Sequence, residues 1–202
     1  MRRFVVIGRT ATASPDFLLR DLPGTSGRLD VLLRCVRAGL LVSHGLRKDT
    51  LVYLVLLGGS EAPRALRFDG AAARYVRPDE YSLATTVKKA LSVPIDASGF
   101  VPARTGIAVA RGGLEVVLED LPPLVSYVLD VGGADIREAA LDSEESVFFL
   151  GDHLGLDAET RLRLDSFGAR PIALGPVSVH ADDAITLVAN ELDRRAVTAE
   201  HD

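Results

Sequence analysis

Residues 175–185, Gly175-Pro176-Val177-Ser178-Val179-His180-Ala181-Asp182-Asp183-Ala184-Ile185, read as a short loop running into a helix that continues to Arg195. Upstream, the apolar segment Val147-Phe148-Phe149-Leu150 ends in a second loop, Gly151-Asp152-His153-Leu154-Gly155. Ligands of α/β proteins sit outside the carboxyl ends of strands, so two glycine-bearing loops at strand ends predict a small-molecule pocket.

The flanking segments alternate in period. Phe4 to Ile7 reads as a strand, and Leu29, Leu32, Leu33, Val36 and Leu40 recur at helical spacing within an amphipathic helix from Arg28 to His44. Leu51 to Leu57 is a β run. Ala65–Phe68 and Arg74–Val76 flank Asp69-Gly70 as a candidate hairpin, and Pro78-Asp79-Glu80 opens a helix through Leu91. Ser92 to Arg104, with Pro94, Gly99 and Pro102, reads as a surface loop, and Ile107–Val109 as a short strand. Leu114–Leu121 fits a helix or a strand equally. Val125–Val131, Val147–Leu150 and Arg170–Leu174 read as strands, Asp157–Phe167 as a helix stopped by Gly168, and Asp182–Arg195 as the last helix. Strands alternating with helices predict one α/β domain over residues 1–202 with a largely parallel sheet.

Composition narrows the class. Hydrophobic residues make up 48% of the 202 residues and charged residues 25%, which excludes a disordered chain. The apolar runs are far too short to span a bilayer, and the four-residue apolar stretch after Arg2-Arg3 does not make a signal peptide, so the expected location is the cytoplasm. Cys35 has no second cysteine to pair with and reads as a buried thiol. The net charge of −5 hides an asymmetry: residues 1–111 carry 17 Lys and Arg against 9 Asp and Glu, while residues 112–202 carry 6 against 19. A basic half can present a local positive face to RNA even in an acidic protein.

No phosphate loop ending in Gly-Lys-Ser/Thr occurs, nor a Gly-x-Gly-x-x-Gly after the first strand, which removes the usual signatures of nucleotide hydrolysis and dinucleotide binding. One cysteine and four separated histidines (His44, His153, His180, His201) give no metal-ligand spacing, and no metal is expected. Asp152-His153 are neighbours in sequence, which does not make them an acid–base pair.

The order of the motifs carries a family resemblance along nearly the whole chain. Asp21-Leu22-Pro23-Gly24, Gly27-Arg28-Leu29-Asp30-Val31-Leu32, Arg34-Cys35-Val36 and Ser43-His44-Gly45-Leu46-Arg47 come first. Pro78-Asp79-Glu80 before a helix ending Lys88-Lys89-Ala90-Leu91, then Gly106-Ile107-Ala108-Val109, follow. Gly151-Asp152-His153-x-Gly155, Gly175-Pro176 with His180-Ala181-Asp182, and Asn190-Glu191-Leu192-Asp193 complete the set. In this order they resemble the archaeal-type tRNA pseudouridine N1-methyltransferase family of the knotted (SPOUT-class) RNA methyltransferases.

That resemblance implies a SPOUT-type α/β fold with a C-terminal trefoil knot around a mostly parallel sheet, a homodimer, and S-adenosylmethionine as methyl donor. It implies a cofactor site at Leu129, Gly151, Leu174, Gly175, Pro176, Val177, Ser178, Val179 and Ala184. The implied reaction is methylation of N1 of pseudouridine in RNA, with position 54 of tRNA as the leading target. Ribosomal RNA, the free nucleoside, and a non-catalytic RNA-binding dimer remain alternatives. For loss of the N1 proton the candidate acceptors are Asp152 and Asp183, or water. Arg28, Arg34 and Arg37, on or near one helix, are the candidate RNA contacts. Ile185, Leu187, Val188 and Leu192 of the last helix are expected to serve knot and dimer interface. The chain departs from the family at Tyr81, where Arg is usual, at Ala184 (Cys), at Ala189 (His) and at Thr105 (Pro).

Overall fold

Period-two alternation along the first strand sets up the whole architecture. In the computed structural model, which describes residues 1–141 and 145–199, Phe4 and Val6 enter one apolar cluster and Val5 and Ile7 another. The sheet therefore has a core on each face. His201 and the chain end lie outside the described residues.

The elements are β1 (Arg2–Thr12), α1 (Leu22–Thr25), α2 (Leu29–Leu40), β2 (Leu41–Val42), β3 (Gly45–Leu46), β4 (Thr50–Gly58), β5 (Arg64–Asp69), α3 (Glu80–Leu91), β6 (Val101–Arg104), β7 (Ile107–Arg111), α4 (Leu114–Asp120), β8 (Val125–Asp135), β9 (Ser146–Gly151), α5 (Ala158–Phe167), β10 (Arg170–Ala173) and α6 (Ala181–Ala199). Eight strands form one sheet in the order β10-β8-β9-β1-β4-β5-β7-β6. The first five run parallel to one another, and β5, β7 and β6 add antiparallel to their edge. β1, from the basic half, lies between β9 of the acidic half and β4, so the two charge halves share one sheet. Helices α2, α3 and α6 cover one face, and α4 and α5 the other.

Three expectations need correction. The helix predicted to His44 stops at Leu40, because Leu41 turns extended and pairs with Leu46 in a two-strand ladder. The segment Arg74–Val76 does not pair with β5. The Asp69 carboxylate instead accepts the Ala71 and Ala72 N–H groups and turns the chain outward, Tyr75 adopts φ 59°, and β7 takes that edge of β5. Within the segment read as a loop, Val101–Arg104 forms the edge strand β6, where Pro102 is tolerated because an edge leaves one side of the ladder unpaired. The ambiguous 114–121 segment is the helix α4.

The end of α6 is fastened back to the start of the chain. Asp193 accepts hydrogen bonds from Arg47 (2.7 and 2.9 Å) and from the buried Arg2 (2.7 Å), whose other nitrogen pairs with Asp49 at 2.8 Å. Burial alone would push the Asp193 carboxyl up, but these two guanidinium groups outweigh it and hold it below the ordinary range. Ile185, Val188 and Leu192 are fully buried within the chain, on the face shared with α2, whereas Leu187 is 45% exposed.

Candidate functional site

The carboxyl ends of β8, β9 and β10 open into a cleft of about 620 Å³, closed on one side by the start of α2. Its β8 wall exists because of a break in pairing. Val128 lies opposite Pro171, but the next pair is Ala134 with Ile172, so residues 129–133 bulge out of the ladder. Gly133 is required at the return, since a Cβ there would overlap the Pro171–Ile172 backbone.

Of the nine residues implied as cofactor contacts, Leu129, Gly151, Leu174, Gly175, Val177, Ser178, Val179 and Ala184 line this cleft, and Pro176 sits between lining residues of the same loop. The two glycines serve different needs. A Cβ on Gly151 would overlap the backbone of Gly155, because the 151–155 loop folds back on itself with the Gly155 N–H donating to the Asp152 carbonyl at 2.9 Å. Gly175 has open space around it but adopts φ 139°, where other residues are strained.

Asp152 also works within its own loop. Its side chain is 1% exposed, and its two oxygens accept the backbone N–H groups of Arg9 and Leu154, each at 2.8 Å. These bonds tie the loop after β9 to the end of β1. His153 faces the cleft with Nδ1 3.9 Å from that carboxylate.

Arg28 and Arg34 reach the cleft together. Arg28, at the N-cap of α2 in the left-handed region (φ 68°), grips Asp30 with two hydrogen bonds of 2.9 and 3.1 Å, and Arg34 Nη1 adds a third at 3.1 Å. Asp30 is buried, which by itself raises its carboxyl, yet the hydrogen bonds from Arg28 and Arg34 prevail and hold it below the usual carboxylate range. Arg37, on the same helix, lines a different depression. Cys35 is buried and its thiol is pushed up, chiefly by desolvation, so it is unreactive packing as expected.

Sequence reasoning missed several lining residues. Asp130 and Arg161 form an ion pair at the cleft wall, and burial is outweighed at Asp130 by the Gly132 N–H first and Arg161 second, so its carboxyl is held low. Val31 and Ile172 add apolar surface. Their only sequence signal is adjacency to strand ends and to the first turn of α2.

A second, wider hollow of about 1160 Å³ lies beside the first, lined by Arg37, His44, Arg47, Lys48, Arg74 and Tyr75, with Asp182, Asp183, Ala189, Asn190 and Asp193 from α6. Asp182 is the one residue, among the described residues, that lines both depressions. Ligand atoms of His180, Asp182 and Asp183 lie within 4.8 Å of one another, a grouping in which His180 and Asp183 are solvent-exposed.

A family model described as "Putative SAM-dependent RNA methyltransferase" matches residues 1–197. The chain belongs to this family. It is 40% identical over 194 residues to the tRNA (pseudouridine(54)-N(1))-methyltransferase of Methanosarcina acetivorans, covering 96% of this chain and 92% of that protein. The enzyme of the same name from Halobacterium salinarum is 42% identical over 196 residues, covering 96% of each chain. The crystal structure of Archaeoglobus fulgidus Nep1 bound to S-adenosylhomocysteine shares the fold, with a TM-score of 0.65 at 16% identity over 96% of this chain and 99% of that one. As a member of this RNA methyltransferase family, the protein places its glycine-bearing loops around one cleft. No helix among the described residues is long and apolar enough to cross a membrane.

Proposed function

We propose that the protein transfers a methyl group from S-adenosylmethionine to N1 of pseudouridine in tRNA, at position 54. The observation that carries this reading is a relationship of about 40% identity along nearly the whole chain to enzymes named for that reaction, on a fold whose parallel strands end in a ligand-sized cleft.

The cleft fits the methyl donor chemically. Leu129, Leu150 and Leu174 offer apolar walls for an adenine ring, the loops at Gly151 and Gly175–Val179 bring backbone groups to its edge, and Asp130 adds negative charge to the wall. Ala184, where the family has Cys, keeps that wall small. When bound, the donor supplies a methyl on a positively charged sulfur, so the protein has mainly to align donor and acceptor and exclude competing nucleophiles. Arg28 and Arg34, locked by Asp30, face the reacting base and stabilise negative charge developing on its carbonyl oxygen, while Arg37 takes phosphate in the neighbouring hollow. Both Asp152 oxygens are engaged by backbone N–H groups, of Arg9 in β1 and of Leu154 in its own loop, which leaves proton acceptance to Asp183, exposed at the start of α6, or to water.

The C-terminal segment forms the trefoil knot. Support comes from β10, which follows β9 in sequence yet lies on the far side of β8, before α6 returns across α2. A homodimer is supported by exposed apolar residues, Val131, Val177 and Val179 at the cleft and Leu187 on α6. Residues 1–202 act as one domain, with RNA on the basic half, and the enzyme works in the cytoplasm. The test is transfer of labelled methyl to tRNA transcripts bearing pseudouridine or uridine at position 54. Label confined to the pseudouridine transcript supports the reading, and label in neither or in both overturns it.

A further inference from the structure

The two depressions differ in charge along their length. In the wider hollow Asp193 is already neutralised by Arg2 and Arg47; Arg37, Lys48 and Arg74 meet no carboxylate among the described residues, while on the acidic α6 side Asp182 Oδ2 lies 3.9 Å from Arg34 Nε and Asp183 is exposed. Arg37, Lys48 and Arg74 are solvent-exposed. Tyr75 stands beside them, 85% exposed and held in the left-handed region, an arrangement with no packing benefit that leaves its ring face open. The acidic end meets the cofactor cleft, and Asp182, half-buried, belongs to both walls.

We infer that the wider hollow cradles the RNA strand, its phosphates at Arg37, Lys48 and Arg74, and that Asp182 recognises pseudouridine by accepting the hydrogen bond of its N1–H. This rests on the function proposed above. Guanidinium and ammonium groups without carboxylate partners attract phosphate, and an exposed aromatic face stacks a base of any sequence. A base drawn from that end toward the cleft meets a carboxylate at the junction, where only a donor is welcome. Pseudouridine presents an N–H there. Uridine, joined to its sugar through nitrogen, presents a C–H at the corresponding ring edge. One charge-assisted hydrogen bond is a sufficient discriminator: Arg34 lies 3.9 Å from Asp182 Oδ2, and the carboxylate's other oxygen meets a donor only in pseudouridine. Asp182 is thus a specificity residue that reads the base before transfer.

The test measures binding in the presence of S-adenosylhomocysteine, with two transcripts of one tRNA that differ only in pseudouridine or uridine at position 54. The parent should bind the pseudouridine form about tenfold more tightly. Asp182→Ala should lose that preference while keeping its affinity for the uridine form, and Asp182→Asn, which keeps an acceptor without charge, should retain a few-fold preference. A purely structural role would weaken both RNAs alike. Arg37→Ala, Lys48→Ala and Arg74→Ala should each weaken both RNAs equally and reduce the slope of log affinity against log salt by about one. Absence of preference in the parent, or an undiminished preference in both Asp182 variants, overturns the recognition, and unchanged salt slopes overturn the cradle. A parent that discriminates the two RNAs yet transfers no methyl overturns the proposed activity and leaves the recognition standing.

Discussion

The two depressions of this protein are built on opposite plans. The cleft at the ends of β8, β9 and β10 is made of loops whose polar groups are already satisfied by the chain itself: Asp152 by two backbone N–H groups, Asp30 by two arginines, Asp130 by Gly132 and Arg161. The wider hollow is lined at one end by Arg37, Lys48 and Arg74, which are exposed and meet no carboxylate among the described residues. A rigid pocket has its shape fixed before a ligand arrives, which suits a small cofactor. Open cations suit a flexible polyanion that brings its own counter-charge. The contrast teaches that substitutions at the cleft should cost stability and cofactor affinity together, whereas those of the hollow's three open cations should cost RNA affinity alone.

The largest effect should come from Gly151→Val. Its side chain would drive into the Gly155 backbone, which cannot rotate aside. Overpacking of this kind costs about 3 kcal/mol. The loop after β9 should be expelled, with S-adenosylhomocysteine affinity falling more than about a hundredfold and the thermal midpoint dropping with it. Calorimetry showing lost affinity at an unchanged midpoint would mean that the glycine serves the ligand and not the loop.

Asp30→Ala should follow at about 2 kcal/mol, less than a fully buried ion pair because Arg28 and Arg34 are about 40% exposed and can regain water. The same residue gives a pH signature. Its carboxyl is lower in the folded chain than in the unfolded one, so the stabilisation is complete above the ordinary carboxylate range near pH 4 and lost as pH falls through the lower folded value. Midpoint curves of parent and Asp30→Asn should therefore converge on acidification. Curves that stay parallel down to pH 2 would remove Asp30 from the arginine clamp.

How much of this was legible in the sequence follows the same division. Backbone-made features announced themselves, because loops that must turn sharply at strand ends need glycine, and Gly151, Gly175 and the elements around them stand out in one dimension. The pairing break at 129–133 did not, since Leu129 and Val131 continue a β pattern and only Gly133, pressed against β10, marks the return. Nor did β6, whose edge position lets Pro102 mimic a loop, or the early stop of α2, where Leu41 prefers a tertiary ladder to a further helical turn. For the arginines, spacing placed Arg34 and Arg37 on one helical face, yet Asp30 draws Arg34 toward the cleft while Arg37 lines the other hollow. Which cation is free depends on which acid folds beside it, and that is a property of packing.

Asp152→Asn separates two roles at a smaller scale. If the carboxylate only fastens the loop, one of the Arg9 and Leu154 N–H groups faces an amide donor instead of an acceptor, costing about 1–2 kcal/mol. Cofactor affinity and the thermal midpoint should fall together, with turnover at saturating cofactor retained. Turnover lost at full affinity and unchanged midpoint would instead make Asp152 the proton acceptor, and would bring the two depressions closer in plan than their hydrogen bonds suggest.

The smallest expected effect, Gly175→Ala, isolates backbone conformation from space. Nothing lies within 4 Å of the position a Cβ would take, so no clash arises, in contrast to Gly151. What remains is φ 139°, a value that an L-residue adopts only at a cost of about 1 kcal/mol. That cost falls on the loop between β10 and α6, which lies outside the sheet and carries Val177, Ser178 and Val179 to the cleft. Global unfolding should therefore shift little, while S-adenosylhomocysteine affinity drops about fivefold as the loop spends part of its time in a relaxed conformation. Hydrogen exchange confined to residues 175–180 would report that relaxation directly. Affinity equal to the parent would show that this loop closes on the ligand by induced adjustment, and that the cleft is less preformed than its two other walls.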